Sequence, residues 1–133
     1  MNIESATPRD SNPIGSCVSF ARALSIGDLD QAATWFARDA CLITPDTTAV
    51  HGRERIRPVL AQMVTRRTEI RVELSTAVGS GEVILARQRW RVRAGAPDAR
   101  IEQTLNAILV LRQIEGIWKL SIAAPWGYGR TYG

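Results

Sequence analysis

Hydrophobic positions recur at helical spacing in the first half of the chain and at alternate positions in the second. Between residue 13 and about residue 26, Val18, Ala21 and Leu24 fall near one stripe, with Cys17 and Phe20 beside it, which predicts an amphipathic helix. Pro13 suits a first helical turn, Asn12 stands where a cap belongs, and Gly27 can adopt the left-handed stop. Asp28 then caps a second helix over 29 to about 37 that presents Leu29, Ala32, Ala33 and Phe36 together. So short a connection forces the two helices to pack as a bent pair. After Arg38-Asp39 the period becomes extended. A strand over 40–44 stops at Pro45, Asp46-Thr47-Thr48 reads as a turn, and a short strand follows over 49–51. Gly52 releases a third helix over 53 to about 67 with Ile56, Val59, Leu60, Met63 and Val64 on its buried stripe. Pro58 inside that stripe calls for a late start or a bend.

The rest is strand. Runs over 68–78, 82–94, 101–113 and 117–124 are separated by Gly79-Ser80-Gly81, Gly95-Ala96-Pro97-Asp98 and Glu115-Gly116, all turn chemistry. Consecutive strands with tight connections make an antiparallel meander, and helices followed by such a sheet make an α+β architecture. The chain divides into a leader over 1–12, a domain over 13–126 and a glycine-spaced aromatic tail over 127–133.

Period-two alternation sorts each strand into two faces. Ile84, Ala86, Gln88, Trp90 and Val92 share one face of the fourth strand, and Arg87, Arg89, Arg91 and Arg93 share the other. On the third strand Ile70, Val72, Leu74, Thr76 and Val78 oppose Glu69, Arg71, Glu73 and Ser75. On the fifth, Ile101, Gln103, Leu105, Ala107, Leu109 and Leu111 oppose Glu102, Thr104, Asn106, Ile108 and Val110. On the last, Trp118, Leu120, Ile122 and Ala124 oppose Ile117, Lys119, Ser121 and Ala123. The apolar sets belong against the helices. The arginine stripe then lies on the outer face, balanced by Glu69, Glu73 and Glu102, where it suits a solvated or dimer-forming surface.

Composition adds limits. The 133 residues suffice for one domain, and 45% hydrophobic with 23% charged is the balance of a folded globular chain rather than a disordered or disulfide-dense one. No apolar run approaches the roughly 20 residues a membrane helix needs, so no membrane partner is expected. No basic segment followed by an apolar one opens the chain, so the expected compartment is the cytoplasm. The net charge is +4, with 17 basic residues against 13 acidic ones. All the basic residues but Lys119 are arginine. They are scattered and often sit beside Glu or Asp, as in Arg53-Glu54-Arg55, without the clustered charge and interleaved aromatics of a nucleic-acid binder. Cys17 and Cys41 lack metal-ligand spacing and only one histidine is present, so neither a metal nor a cofactor is expected.

Several marks together resemble the NTF2-like superfamily, in particular its SnoaL-like and DUF4440-type small bacterial members. They are Gly27-Asp28-Leu29 between the first two helices, Phe36 with Asp39-Ala40 before the first strand, Gly52-Arg53-Glu54-Arg55-Ile56-Arg57 opening the third helix, and Gly116-Ile117-Trp118 opening the last strand. The resemblance covers roughly residues 14–124. It implies a strongly curved sheet wrapped around the helices, with an apolar pocket at the open end of the cone. The activities it implies range from isomerase, cyclase, dehydratase and epoxide hydrolase to plain binding.

The inward set carries few polar groups. Gln88 and Gln103 can orient a ligand carbonyl or hydroxyl, or else only satisfy each other. Trp90 shares their face, while Trp35 and Trp126 are further candidates for ligand contact and Trp126 is placed to close over a mouth. His51, the single imidazole, and Asp46, just past the first strand, are the candidates for proton transfer. The aspartate base that the resemblance to ketosteroid isomerases implies before Pro45 is replaced by Thr44. An epoxide-hydrolase-like arginine–carboxylate network requires Arg87, Arg89, Arg91 and Glu102 to face inward. The expected function is therefore binding of an apolar ring compound, with isomerase-, cyclase- or dehydratase-type chemistry by one weak base. The alternative is a non-catalytic ligand-binding or interaction module, and in either case a homodimer through the outer sheet face.

Overall fold

A computed structural model describes residues 12–65 and 68–126. The leader, apart from Asn12, and the tail over 127–133 lie outside the described residues. Helix α1 spans Pro13–Ile26, with the Asn12 side chain accepting from the Gly15 N–H at 2.6 Å. Gly27 ends it at φ 81°, a left-handed conformation that favours glycine. Its buried stripe is Cys17, Phe20, Ala21 and Leu24, whereas Val18 is 40% exposed. Asp28 caps α2, Leu29–Thr34, by accepting from the Gln31 N–H.

Helix α2 ends before the expected residue 37, because sheet pairing claims the residues that helical period alone would keep. Trp35 already accepts a 2.8 Å hydrogen bond from the Leu120 N–H, and Phe36 opens β1, Phe36–Ile43. Strand β1 runs parallel to the last strand and antiparallel to β2, Ala49–His51. Helix α3, Arg53–Thr65, contains Pro58 without a late start. Pro58 lies on the exposed face, where solvent can take the carbonyl it leaves unpaired. Ile56, Leu60 and Met63 form the buried face of α3. Arg53 fixes its start by donating through Nε and a terminal nitrogen to the Phe36 carbonyl at 3.1 and 2.6 Å.

Strands β3 (Glu69–Ser80), β4 (Val83–Ala94), β5 (Ile101–Ile114) and β6 (Ile117–Ala124) form the expected meander. The six-stranded sheet has the order β2-β1-β6-β5-β4-β3 and curves around the helices. The β5–β6 connection is a two-residue turn with Glu115 at φ 51° and Gly116 at φ 85°, the positive pair that matches strand twist. Inside, Phe20 meets Phe36 edge-on at 5.1 Å and Trp90 at 6.1 Å.

The face assignment holds on β4, where Ala86, Gln88, Trp90 and Val92 are buried and the arginines exposed. It fails halfway along β3 and β6. A bulge between Val72 and Leu74 sets Val72 opposite Trp90 but Leu74 opposite Arg89. Ser75 thereby turns inward, and Leu74, Thr76 and Val78 turn outward. A second irregularity sets Leu111 opposite Leu120 but Val110 opposite Ile122, so Ala123 is buried and Ile122 is 41% exposed. An extra residue sharpens local twist, which long strands wrapping a core require, and every side chain beyond it changes face. Strict alternation contains no sign of it.

Candidate functional site

At the open end of the cone the inward faces of β4 and β5, one face of α3 and the β1–β2 turn border a half-open cavity of about 530 Å³. Val92 and Ala94 come from β4, and Gln103 and Leu105 from β5. Val59, Gln62 and Met63 come from α3 at i, i+3 and i+4, and Thr68 follows the helix. Thr44, Pro45, Asp46 and Thr48 form the turn side, and Trp126, after β6, borders the opening. The volume lies within the range of about 300–1,000 Å³ usual for small-molecule sites, and the lining mixes polar side chains with apolar ones. Thr68 is buried and donates its hydroxyl to the Met63 carbonyl at 2.8 Å, which leaves its oxygen free to accept.

Two further hollows open on the outer face of the sheet. One, of about 450 Å³, lies beside Arg87 and Arg89. The other, of about 600 Å³, is lined mainly by Glu69, Glu73, Arg91, Arg93 and Glu102, which pair with one another. Leu74, Ala107 and Ile108 give the first of these hollows an apolar lining beside its arginines, and Gln88 also borders it, whereas the second is walled mainly by charged groups. Because Arg87, Arg89, Arg91 and Glu102 face outward, the inward network that epoxide-hydrolase-like chemistry requires is not formed.

Asp46 is the one charged side chain among the described residues lining the cavity. Its Oδ1 accepts from the Thr44 hydroxyl and, at 3.2 Å, from the Thr48 N–H. The Thr44 hydroxyl, followed by Thr48, holds its carboxyl below the ordinary value. Asp46 is therefore ionised at neutral pH and a weaker base than a free carboxylate. His51 is exposed at the end of β2, opposite Cys41, and does not line the cavity.

Gln88 faces inward and is buried, but well behind the cavity. It donates to Ser75 Oγ at 2.9 Å and accepts from Trp90 Nε1 at 2.7 Å, so its amide is spent within the core. Gln103 stands opposite Val92, whereas Gln88 stands opposite Ala107. Four positions of β5 hold the two amides roughly 13 Å apart, so they do not bond each other. Trp35 caps α2, with its Nε1 buried and without a hydrogen-bond partner, and lies outside the cavity lining. Of the candidate ligand contacts, the cavity thus gathers Gln103 and Trp126, together with Asp46. Met63 lines it from the buried stripe of α3, while Gln62, exposed at i+3 from Val59, and Thr68 join it without a pattern in the sequence that marks them. Thr76, read as inward, is on the outer face because of the β3 bulge.

A curved mixed sheet closed by three helices, with a cavity at its open end, is the NTF2-like cone. The chain belongs to the SnoaL-like domain family, whose profile matches residues 18–119. Solved structures share the fold. A protein from Streptomyces avermitilis, provisionally named a dehydratase of the NTF2-like family, is similar at TM-score 0.74 and 16% identity, covering 85% of this chain and 93% of that one. A protein from Xanthomonas campestris, provisionally named a calcium/calmodulin-dependent protein kinase II association domain, aligns at TM-score 0.75 and 14% identity over 96% and 95% of the two chains. An NTF2-like protein from Novosphingobium aromaticivorans aligns at TM-score 0.70 and 11% identity over 82% and 75%. At such identities the likeness is one of fold. No curated protein matches the chain. Among the described residues no helix is long and apolar enough to cross a membrane.

Proposed function

We propose that the protein binds a small apolar ring compound in the cavity at the open end of the cone. The observation that carries this reading is the cavity's place at the open end of the cone, where apolar side chains from α3, β4 and β5 meet Gln62, Thr68 and Gln103. In this reading Val92, Leu105 and Met63 pack on the ring, and the two amides and the Thr68 oxygen orient a carbonyl or hydroxyl. Binding is favoured over proton-transfer chemistry, because the carboxylate at the cavity is a weakened base and the imidazole lies outside it. The test is a calorimetric screen of bicyclic alcohols and ketones against the parent and Leu105→Trp, which fills the cavity. Saturable binding that Leu105→Trp abolishes, with its melting transition still cooperative, is expected. Equal binding by both proteins would refute the reading.

A homodimer through the outer sheet face is proposed alongside it. The bulges place Val78, Leu85, Val110 and Ile122 side by side in register across four strands, and Val78 is 68% exposed. Arg91, Arg93 and Arg100 pair with Glu69, Glu73 and Glu102 at one end of that face, and the apolar row lies beyond Arg87 and Arg89 for a second copy to cover. Sedimentation at micromolar concentration is expected to give a dimer, and a monomer would overturn this assembly.

A further inference from the structure

We propose that the cavity selects a ring compound bearing a cationic amine, with Asp46 as the counter-charge. The inference rests on the cavity reading above and names the ligand class within it. The chain carries +4 and 17 basic residues, so an anionic ligand is what its overall field attracts. The cavity departs from that field, since none of the described arginines nor Lys119 lines it and Asp46 does.

The geometry of the turn equips this carboxylate for a ligand. The hydrogen bonds from the Thr44 hydroxyl and the Thr48 N–H end on Oδ1, and the Thr48 side chain also bonds the carboxylate. A carboxylate offers about four lone-pair sites, so it keeps accepting capacity beyond these bonds, and an ammonium carries three donors that can use it. The turn is itself held by the Thr44 N–H to the Thr48 carbonyl at 2.9 Å and by the Thr47 N–H to the Thr44 carbonyl at 2.8 Å. The carboxylate is thus positioned before a ligand arrives, which reduces the ordering cost of binding. No described ion pair occupies it, unlike Asp30, which pairs with Arg57, and Asp39, which pairs with Arg112. Trp126 adds an indole at the same cavity, and aromatic faces attract cations. A ring against Val92, Leu105 and Met63 and an ammonium at Asp46 would use both halves of the lining.

Three probes of one size isolate the charge: 2-(1-naphthyl)ethylamine, 2-(1-naphthyl)ethanol and 1-naphthylacetate. Their dissociation constants are measured by calorimetry at pH 7 for the parent and Asp46→Asn, a variant whose amide oxygen can still accept the turn hydrogen bonds. Because Asp46 is exposed to solvent, the amine is expected to bind only about three- to tenfold more tightly than the alcohol. The carboxylate is expected to bind weakest. In Asp46→Asn the amine and alcohol should become equal within about twofold while the alcohol's affinity is unchanged. Binding of the alcohol without preference for the amine, or an amine preference that survives in Asp46→Asn, overturns the inference and leaves the cavity reading standing. No binding of any probe overturns both.

Discussion

Replacing Gln88 with leucine separates a core role from a ligand role, and the structure sets the size of the effect. Gln88 is 3% exposed, and its side chain accepts from Trp90 Nε1 at 2.7 Å and donates to Ser75 Oγ at 2.9 Å. Leucine is close in volume, so the loss is polar rather than steric. It leaves the Trp90 N–H, in a fully buried side chain, without an acceptor, which costs about 1–3 kcal/mol. Ser75 is only partly buried and can turn to water, so little is added there. A destabilisation of about 2 kcal/mol corresponds to a fall in melting temperature of roughly 6–10 °C for a domain of this size. Urea unfolding of the parent, Gln88→Leu, Trp90→Phe and the double variant completes a thermodynamic cycle. In the Trp90→Phe background the leucine should cost less by about 1 kcal/mol, because no indole N–H is then left unpaired. Ligand affinity in the cavity should stay within about twofold, since Gln88 does not line it. Unchanged stability with lost binding would refute both the network and the placement of the site.

Four further outcomes are expected. Burial pushes the Cys17 thiol up to about 12, so alkylation at pH 8 should label the partly exposed Cys41 alone until the protein unfolds. Because the unfolded thiol ionises above about 9 while the buried one stays protonated up to about 12, stability should fall by about 1.4 kcal/mol per pH unit across that window, a loss that Cys17→Ala should remove. Val78→Lys with Ile122→Lys should convert the proposed dimer to a monomer in sedimentation, and a dimer that persists would place the interface elsewhere. Glu115→Asn, at φ 51° in the β5–β6 turn, should raise urea stability by about 0.5 kcal/mol, since asparagine tolerates a left-handed backbone better than glutamate.

The elements were legible wherever local chemistry decides them. Asn12, Asp28 and Gly27 mark helix ends by side-chain and backbone capping, and Glu115-Gly116 marks a hairpin by its positive φ pair. Trp35 and Phe36 were not, because their extended state answers to Leu120 far along the chain. Face assignment followed the same division. On β4 alternation is unbroken and Gln88, Trp90 and Val92 point inward as read. On β3 and β6 the bulges reflect sheet curvature, a property of the whole fold, so Leu74, Thr76, Val78 and Ile122 fall on the other side. The candidate site was legible in its inward strand residue Gln103 and in Asp46 and Trp126 at the mouth. Gln62 and Thr68 needed the position of α3 over the sheet. Gln88 needed its partners, since only the network with Ser75 and Trp90 distinguishes a core amide from a ligand-facing one.

The central claim is that ligand binds at the open end of the cone, and amide chemical-shift mapping tests it directly. The tightest ring compound from the calorimetric screen is titrated into isotopically labelled protein. The account predicts that the largest shifts fall at Gln62, Met63, Thr68, Gln103, Leu105 and Trp126, with Asp46 and Thr48 following. Shifts centred instead on Arg87, Arg89, Asn106 and Ile108 of the outer face would contradict it.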